Sequence, residues 1–211
     1  MILNKELSKL KIFTDEPHYG NWISNNFVKT IEECDLLLLS GGEDVHPSLY
    51  NEKTHPQSYH NLKRDLIEKQ WFEKAVKLNK SILGICRGSQ LVCVLNNGRL
   101  VQHQQNKYHI HPIELYDGNI IDITSTHHQA QYPFNLPNTD YNILGWTKNL
   151  SNFHQDGEQN EMNPQVECEI VHYKKTNSLG IQGHPEDLDW KEYSKSIIKL
   201  QEILLNELFK K

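Results

Sequence analysis

Cys86 is the residue of this sequence best placed to do chemistry. The apolar residues 82–85 before it predict a short buried strand, and the residues from 88 onward predict the start of a helix. Gly84 and Gly88 remove the side chains that would clash at a sharp strand-to-helix turn. A cysteine at that turn lies at a helix N-terminus, whose partial positive charge favours the thiolate. The pattern predicts a nucleophile elbow with a thiol nucleophile; the alternative is a buried structural cysteine.

A thiol nucleophile needs a base, and His184 is the best candidate. The apolar residues 179–181 predict a strand that ends just before this histidine. Open α/β sheets place their sites at the carboxyl ends of strands, where the imidazole would lie. Glu186, two residues further on, can return to orient the imidazole. We therefore predict Cys86, His184 and Glu186 as the catalytic residues.

Composition argues against several classes of protein. With a net charge of −5, the chain lacks the excess of basic residues that is typical of proteins that bind nucleic acid or an anionic membrane surface. No apolar run approaches the roughly 20 residues that span a bilayer, and residues 1–13 lack the apolar core of a signal peptide. The four cysteines form no CxxC pair and predict free thiols in a reducing compartment. We expect a cytoplasmic protein that binds neither nucleic acid nor membrane.

The twelve histidines include two close pairs, His109 with His111 and His127 with His128. Neither pair has the four-residue helical spacing of an HExxH metal motif, and no cysteine pair accompanies them. We therefore predict no metal site and expect the histidines to be scattered over surface and loops.

The order of predicted elements favours an α/β fold. The 211 residues fit one domain, and no repeat or linker divides the chain. Strands are predicted at 9–14, 35–40, 82–85, 110–116, 119–124, 166–174 and 178–182, and helices at 22–34, 64–79, 88–96 and 190–209. Residues 151–164 predict a mobile surface loop. The alternation in the first half predicts a single-domain, open, mostly parallel central sheet flanked by helices, with a strand-rich second half.

Four sequence blocks resemble the class I glutamine amidotransferase superfamily, whose fold is flavodoxin-like, and within it the γ-glutamyl hydrolase branch called peptidase C26. They are residues 40–50 (SGGEDVHPSLY), 64–68 (RDLIE), 84–90 (GICRGSQ) and 183–186 (GHPE). A fifth block, residues 125–129 (STHHQ), is similar to the family's Ser-x-His-His-Gln segment. The first, second and fifth blocks favour stand-alone γ-glutamyl hydrolases over amidotransferases that work with a synthetase. The resemblance spans nearly the whole chain.

The resemblance implies a role for each matching residue. Cys86 would form a glutamyl thioester, His184 would move the protons and Glu186 would hold the imidazole. The backbone amides of Gly42 and Arg87 would form the oxyanion hole. Further residues would bind the substrate, among them the glutamine at position 90, which would hold its amino-acid end: Gly41, Gln90, Ser125, His127 and Gln129.

Other interpretations of these residues stay open. In the alternative interpretation, Gly41 and Gly42 are simple turn residues and Gln90 faces solvent. His127 and His128 then belong to an ordinary loop. The block that begins at Arg64 is expected to be structural and to order the loop after the two glycines.

Two departures from the family pattern bear on the substrate. The chain is shorter than typical members, and Gly183 stands where the family has an aromatic residue. We expect this glycine to open space beside His184 for a leaving group bulkier than a small polyamine derivative. Overall likeness favours the bacterial branch that hydrolyses γ-glutamyl-CDP-amidate to cytidine diphosphoramidate and glutamate in capsular polysaccharide phosphoramidate biosynthesis. Arg87, Lys107 and nearby histidines are candidate partners for its pyrophosphate.

Three other functions remain as alternatives. They are a γ-glutamyl-γ-aminobutyrate hydrolase, a glutaminase subunit of an amidotransferase, and a catalytically inactive binding protein on the same fold. For the hydrolase we expect a small-molecule γ-glutamyl substrate, no cofactor, and a monomer or homodimer.

Overall fold

The computed structural model describes residues 4–105, 110–148 and 151–210. Three α-helices are described, α1 (Leu62–Lys77), α2 (Arg87–Leu95) and α3 (Ser194–Leu208). The strands are β1 (Lys11–Phe13), β2 (Asn26–Phe27), β3 (Leu36–Leu39), β4 (Ser81–Ile85), β5 (Arg99–Val101), β6 (His103–Gln104), β7 (Ile110–Leu115), β8 (Ile120–Thr124), β9 (Ala130–Tyr132), β10 (Tyr141–Thr147), β11 (His154–Gln155), β12 (Glu167–Tyr173) and β13 (Ser178–Ile181). Within these ranges no helix has the length and apolar character needed to cross a membrane.

One large sheet dominates the structure. Its strand order is β2-β1-β3-β4-β13-β12-β10-β7-β8. Neighbours are parallel from β2 to β13 and antiparallel from β13 to β8. The predicted α/β fold, with an open, mostly parallel central sheet and a strand-rich second half, is confirmed. The carboxyl ends of β3, β4 and β13 meet at one edge, which is where an open α/β sheet presents a site.

The two faces of the sheet belong to two separate cores. Successive side chains of a strand point to opposite faces. Leu36 and Leu38 of β3 therefore pack into a core with α3, whereas Leu37 and Leu39 pack into a second core with α1 and α2. This double burial explains why β3 is an uninterrupted apolar run.

The helix predicted over residues 22–34 is wrong. This segment forms turns and β2, which lies parallel to β1. The hydroxyl of Ser24 donates to the carbonyl oxygens of Ser8 and Leu10, and the Val28 amide donates to Ile12 O. The Val28 amide thus pairs with β1 and not with a carbonyl four residues before it, so the segment does not continue as a helix.

The helix predicted over residues 64–79 is confirmed as α1, but its buried face differs from the expected apolar stripe. Leu66 and Leu78 are 45% and 40% exposed. Asp65 and Glu68 are almost fully buried instead, because both pair with Arg87 of α2.

The segment 151–164, predicted to be a mobile surface loop, contains the short strand β11. That strand pairs antiparallel with β6. Nε2 of His154 lies 2.9 Å from Oε1 of Glu167, which also accepts from the Ser151 amide at 2.6 Å. Glu167 therefore anchors the start of this segment to the edge of β12.

Candidate active site

Cys86 lies at the turn between β4 and α2 in a backbone conformation that only close packing sustains. Its φ is 52° and its ψ is −111°, which is unusual and strained for a residue with a side chain. A Cβ on Gly84 would overlap the carbonyl of Gly88, and a Cβ on Gly88 would overlap the carbonyl of Leu39. Both glycines are therefore required sterically, as their spacing predicted.

His184 and Cys86 approach one another because the two strands that carry them are neighbours. Ile181 of β13 is the register partner of Ile85 of β4, and the Cys86 amide donates to Ile181 O at 2.8 Å. The His184 amide in turn donates to Oγ1 of Thr124 at 2.5 Å. The backbone on both sides of the site is thus held by hydrogen bonds between strand ends.

The His184 side chain interacts with both predicted partners. Its Nδ1 lies 2.8 Å from Oε1 of Glu186, and the two side chains are 11% and 5% exposed. Burial alone lowers the pKa of His184, but hydrogen bonds with Cys86 and Glu186 outweigh it and raise the pKa to about 10. Burial raises the pKa of Glu186, and His184 opposes that rise. The three side chains form one electrostatic unit in which the imidazole holds a proton at neutral pH.

Tyr19 belongs to the site although the sequence carries no motif there. Its ring centroid lies 5.9 Å from that of His184. Burial, Glu186 and Cys86 raise the pKa of Tyr19 to about 12. A Cβ on Gly41 would lie 2.6 Å from the Tyr19 hydroxyl and 3.1 Å from Cε1 of His184. The missing side chain of Gly41 therefore lets the loop after β3 approach both rings.

Arg87 follows Cys86 directly, but its side chain is turned away from solvent. It is 2% exposed and pairs with Asp65 and Glu68 of α1. The prediction that this guanidinium is a partner for pyrophosphate is wrong, since two buried carboxylates already neutralise it. Lys107, the second predicted cation, lies outside the described residues.

Gln90 and Gln129 are buried and joined to one another. Nε2 of Gln90 donates to the backbone carbonyl of Gln129 at 2.8 Å, and Oε1 of Gln129 accepts from the Val45 amide at 3.2 Å. The alternative in which Gln90 faces solvent is wrong, because the side chain is 2% exposed. The two glutamines connect α2 to the loop that follows Gly41 and Gly42.

Ser125 and His127 are buried in the segment that leads to Gln129. Nδ1 of His127 lies 2.8 Å from Gln129 O, and burial lowers the pKa of His127. The segment is therefore held by internal contacts. Substrate contact by these residues stays a prediction.

Gly183 does not open space beside His184. A Cβ at this position would lie 2.6 Å from Thr124 O and 2.8 Å from Cδ1 of Ile123, and would overlap Cγ1 of Ile123. Strand β8 already fills the volume that an aromatic side chain would take. The expectation that this glycine admits a bulkier leaving group is wrong.

Several histidines form clusters, contrary to the predicted scatter over surface and loops. Ring centroids of His55 and His103 are 4.6 Å apart, and those of His103 and His128 are 5.5 Å apart. Nδ1 of His128 lies 3.1 Å from Oδ1 of Asp44, in the loop that follows Gly42. We call His55, His103 and His128 the histidine cluster. Burial and the other two members lower the pKa of His103, because neighbouring imidazoles oppose protonation of one another.

Within the described ranges, one group of side chains brings three potential metal-ligand atoms within 4.8 Å of one another, and it consists of His184, Glu186 and Asp187. The hydrogen bond between the first two occupies Nδ1 of the histidine and one carboxylate oxygen. Asp187 is exposed and lies 3.9 Å from the same Nδ1. The arrangement suits an imidazole oriented by carboxylates.

Comparison with known proteins identifies relatives of this chain. Residues 22–129 match the model of the family described as Peptidase C26. This segment contains Cys86 and the two glycines of the loop after β3, and it ends before His184. Protein NtpR of Enterococcus hirae is 34% identical over 124 residues, an alignment that covers 47% of this chain and 52% of NtpR. The chain spans between 24% and 62% of the length of the six curated relatives compared.

Solved structures share the fold at low sequence identity. A glutamine amidotransferase from Thermotoga maritima is 15% identical with a TM-score of 0.53, and the match covers 94% of this chain and 93% of that one. A glutamine amidotransferase from Methylobacillus flagellatus is 12% identical with a TM-score of 0.54, covering 93% of this chain and 76% of that one. At these identities the similarity concerns the fold.

Proposed function

Because this chain belongs to the peptidase C26 family, we propose that it is a cysteine hydrolase that cleaves a γ-glutamyl–nitrogen bond. The observation that carries the proposal is the placement of Cys86 and His184 just after the paired ends of β4 and β13, with the imidazole held by Glu186 at 2.8 Å. A strained nucleophile at a helix N-terminus, a base and an orienting carboxylate are the parts that thiol acyl transfer needs.

In acylation the thiol proton of Cys86 passes to His184, which leaves a thiolate beside an imidazolium. The sulfur attacks the γ-carbonyl carbon, and the carbonyl π electrons move to oxygen and form a tetrahedral oxyanion. Nδ1 of His184 faces Glu186, which leaves Nε2 to donate its proton to the departing nitrogen. The carbon–nitrogen bond breaks, the amine leaves, and a glutamyl thioester remains on Cys86.

Deacylation reverses the direction of proton transfer. The neutral imidazole takes a proton from water, the hydroxide attacks the thioester carbon, and the carbon–sulfur bond breaks. The thiolate returns to Cys86 and glutamate leaves. The raised pKa of His184, about 10, favours restoration of the imidazolium for the next cycle.

The oxyanion of both steps would be held by the backbone amides of Arg87 and Gly42. Arg87 is the first residue of α2, and Gly42 follows the glycine that lies against the ring of His184. Removing one preorganised donor of this kind typically raises the barrier by about 2.7–4 kcal/mol. The buried residues at positions 90, 125, 127 and 129 would surround the glutamyl group.

For the leaving group we propose a phosphate-bearing amide, in the narrower form γ-glutamyl-CDP-amidate. The position of the histidine cluster beside the loop that contains Gly42 and Asp44 supports this substrate. Each imidazole, even when neutral, has one N–H group that can donate a hydrogen bond to a phosphate oxygen.

A panel of γ-glutamyl compounds tests the function, with glutamate release followed by mass spectrometry. Phosphate-linked and polyamine-linked compounds are assayed side by side. We expect faster turnover of the phosphate-linked compounds. Equal or better turnover of γ-glutamyl-γ-aminobutyrate would contradict the proposal that γ-glutamyl-CDP-amidate is the substrate. Weak hydrolysis that a synthetase partner strongly activates would indicate a glutaminase subunit instead.

A further inference from the structure

We propose that Arg64 is a positioning residue of the oxyanion hole and acts through the peptide that joins Gly41 to Gly42. The inference rests on the proposed function, because it concerns the amide of Gly42 as an oxyanion donor. Arg64 lies on α1, away from the sequence motifs that carry Cys86 and His184.

The guanidinium of Arg64 holds the carbonyl end of that peptide. Its Nη2 donates to Gly41 O at 2.9 Å and to Oγ of Ser40 at 2.8 Å. A trans peptide is planar, with its C=O and N–H pointing in opposite directions. An arginine that fixes the carbonyl of Gly41 therefore fixes the direction of the Gly42 N–H. A cation on the oxygen also polarises the peptide and makes the N–H a stronger donor.

Gly42 leaves the room that this contact needs. Its φ is 141°, a conformation that side chains rarely adopt, and a Cβ there would overlap Nη1 of Arg64. Nη1 also donates to Oε2 of Glu43 at 3.1 Å. Arg64 thus contacts three consecutive positions after Ser40 and sets the course of the loop.

Glu68 links Arg64 to the second proposed donor. Oε1 of Glu68 accepts from Nε of Arg64 at 2.8 Å, and Oε2 pairs with the side chain of Arg87. The backbone amide of Arg87 is the other oxyanion donor proposed above. One carboxylate that is 1% exposed therefore ties together the guanidinium groups that position both donors.

Two members of this network are almost fully buried, Glu68 at 1% and Arg87 at 2% exposure, while Arg64 is 21% exposed. Arg64, Glu68 and Arg87 belong to two helices that pack on the same face of the sheet. Burial lowers the pKa of Arg64, but Glu68 and Glu43 outweigh that effect and raise it, so the cation persists at every working pH. Donors that are fixed before the reaction starts need no reorganisation when the oxyanion forms.

The test compares Arg64→Lys and Arg64→Ala with Lys63→Ala, an exposed neighbour on the same helix. Glutamate release gives kcat and KM. The rate of iodoacetamide alkylation measures the reactivity of the Cys86 sulfur in a reaction that forms no oxyanion. We expect kcat of both Arg64 variants to fall about 100-fold, the lower end of the loss for one oxyanion donor, with KM and alkylation within roughly threefold. Methylguanidine should restore part of kcat in Arg64→Ala and leave Lys63→Ala unchanged.

Three results would overturn the inference: kcat of the Arg64 variants within twofold of the parent chain, a loss confined to KM, or alkylation that falls in step with kcat. If Arg64→Ala does not fold, Arg64→Lys gives the same comparison, because lysine keeps the charge but lacks the fork that reaches Gly41 and Glu68 together. A parent chain that releases glutamate from none of the γ-glutamyl compounds overturns the proposed function itself.

Discussion

Nδ1 of His184 lies 2.8 Å from Oε1 of Glu186, with both side chains largely removed from solvent. This contact fixes the tautomer and direction of the imidazole and contributes to its raised pKa. A second carboxylate, Asp187, lies 3.9 Å from the same nitrogen but is 66% exposed. Substitutions of the two acids therefore distinguish the orientation of the His184 imidazole by Glu186 from the general effect of a nearby negative charge.

The substitution Glu186→Gln should reduce kcat for glutamate release by about 100-fold, within the 10²–10⁴ range of positioned acid–base catalysis. The amide keeps the shape of the side chain but lacks the charge that stabilises the imidazolium. The control Asp187→Asn should stay within roughly threefold, because an exposed charge is screened by solvent. Equal losses in the two variants would show that Glu186 has no special role.

The alkaline side of the pH–activity profile should report His184. Its pKa is raised from 6.5 to about 10, so the imidazolium needed for acylation persists through neutral pH and is lost as the pH rises through about 10. The stability that this proton contributes is likewise complete below pH 6.5 and disappears by about pH 10. We expect kcat/KM to decline only above pH 9. A decline that starts near pH 7 would contradict the ion pair.

Removal of the buried cation at position 87 should destabilise the fold strongly. Arg87→Met leaves the carboxylates of Asp65 and Glu68 buried with less compensation, a change that costs about 3–5 kcal/mol in comparable cases. Arg99→Met is the control, since Arg99 is 39% exposed in its pair with Glu52 and such pairs contribute at most about 1 kcal/mol. Urea unfolding measures both. Similar free energies of unfolding for the two variants would contradict the conclusion that Arg87 neutralises two buried carboxylates.

Gly183→Ala should lower the free energy of unfolding by about 1–3 kcal/mol, the usual cost of overpacking. The added methyl meets Ile123 and the carbonyl of Thr124, and Thr124 also holds the His184 amide. Thermal unfolding together with kcat measures the effect. An alanine variant as stable as the parent chain would mean that the space beside His184 is open after all.

The elbow and its base could be predicted because each is a local pattern on a buried strand end. Gly84, Cys86 and Gly88 meet the steric needs of one turn, and an apolar strand delivers His184 to the same edge. The contacts of Tyr19 and Thr124 could not be predicted, since they join segments far apart in sequence. The burial of Arg87 could not be predicted, because nothing local shows that Asp65 and Glu68 reach it from another helix.

Local patterns also failed where tertiary contacts override them. The apolar residues of 22–34 predict a helix, yet the Val28 amide donates to Ile12 O and the chain pairs with β1 instead. At Gly183 the sequence shows only a missing side chain. The neighbouring strand decides whether the space is empty or filled.

Covalent capture of Cys86 by a glutamine-mimicking electrophile is the most direct test of the central claim, that this sulfur attacks a γ-glutamyl carbonyl with the help of His184. Intact-mass and peptide mapping should place one label on Cys86. The labelling should slow when a γ-glutamyl compound competes, vanish in Cys86→Ala and persist in Cys93→Ala, since Cys93 is buried on the same helix and burial raises its pKa to about 12. A label that persists in Cys86→Ala, or no label on the parent chain, would contradict the account.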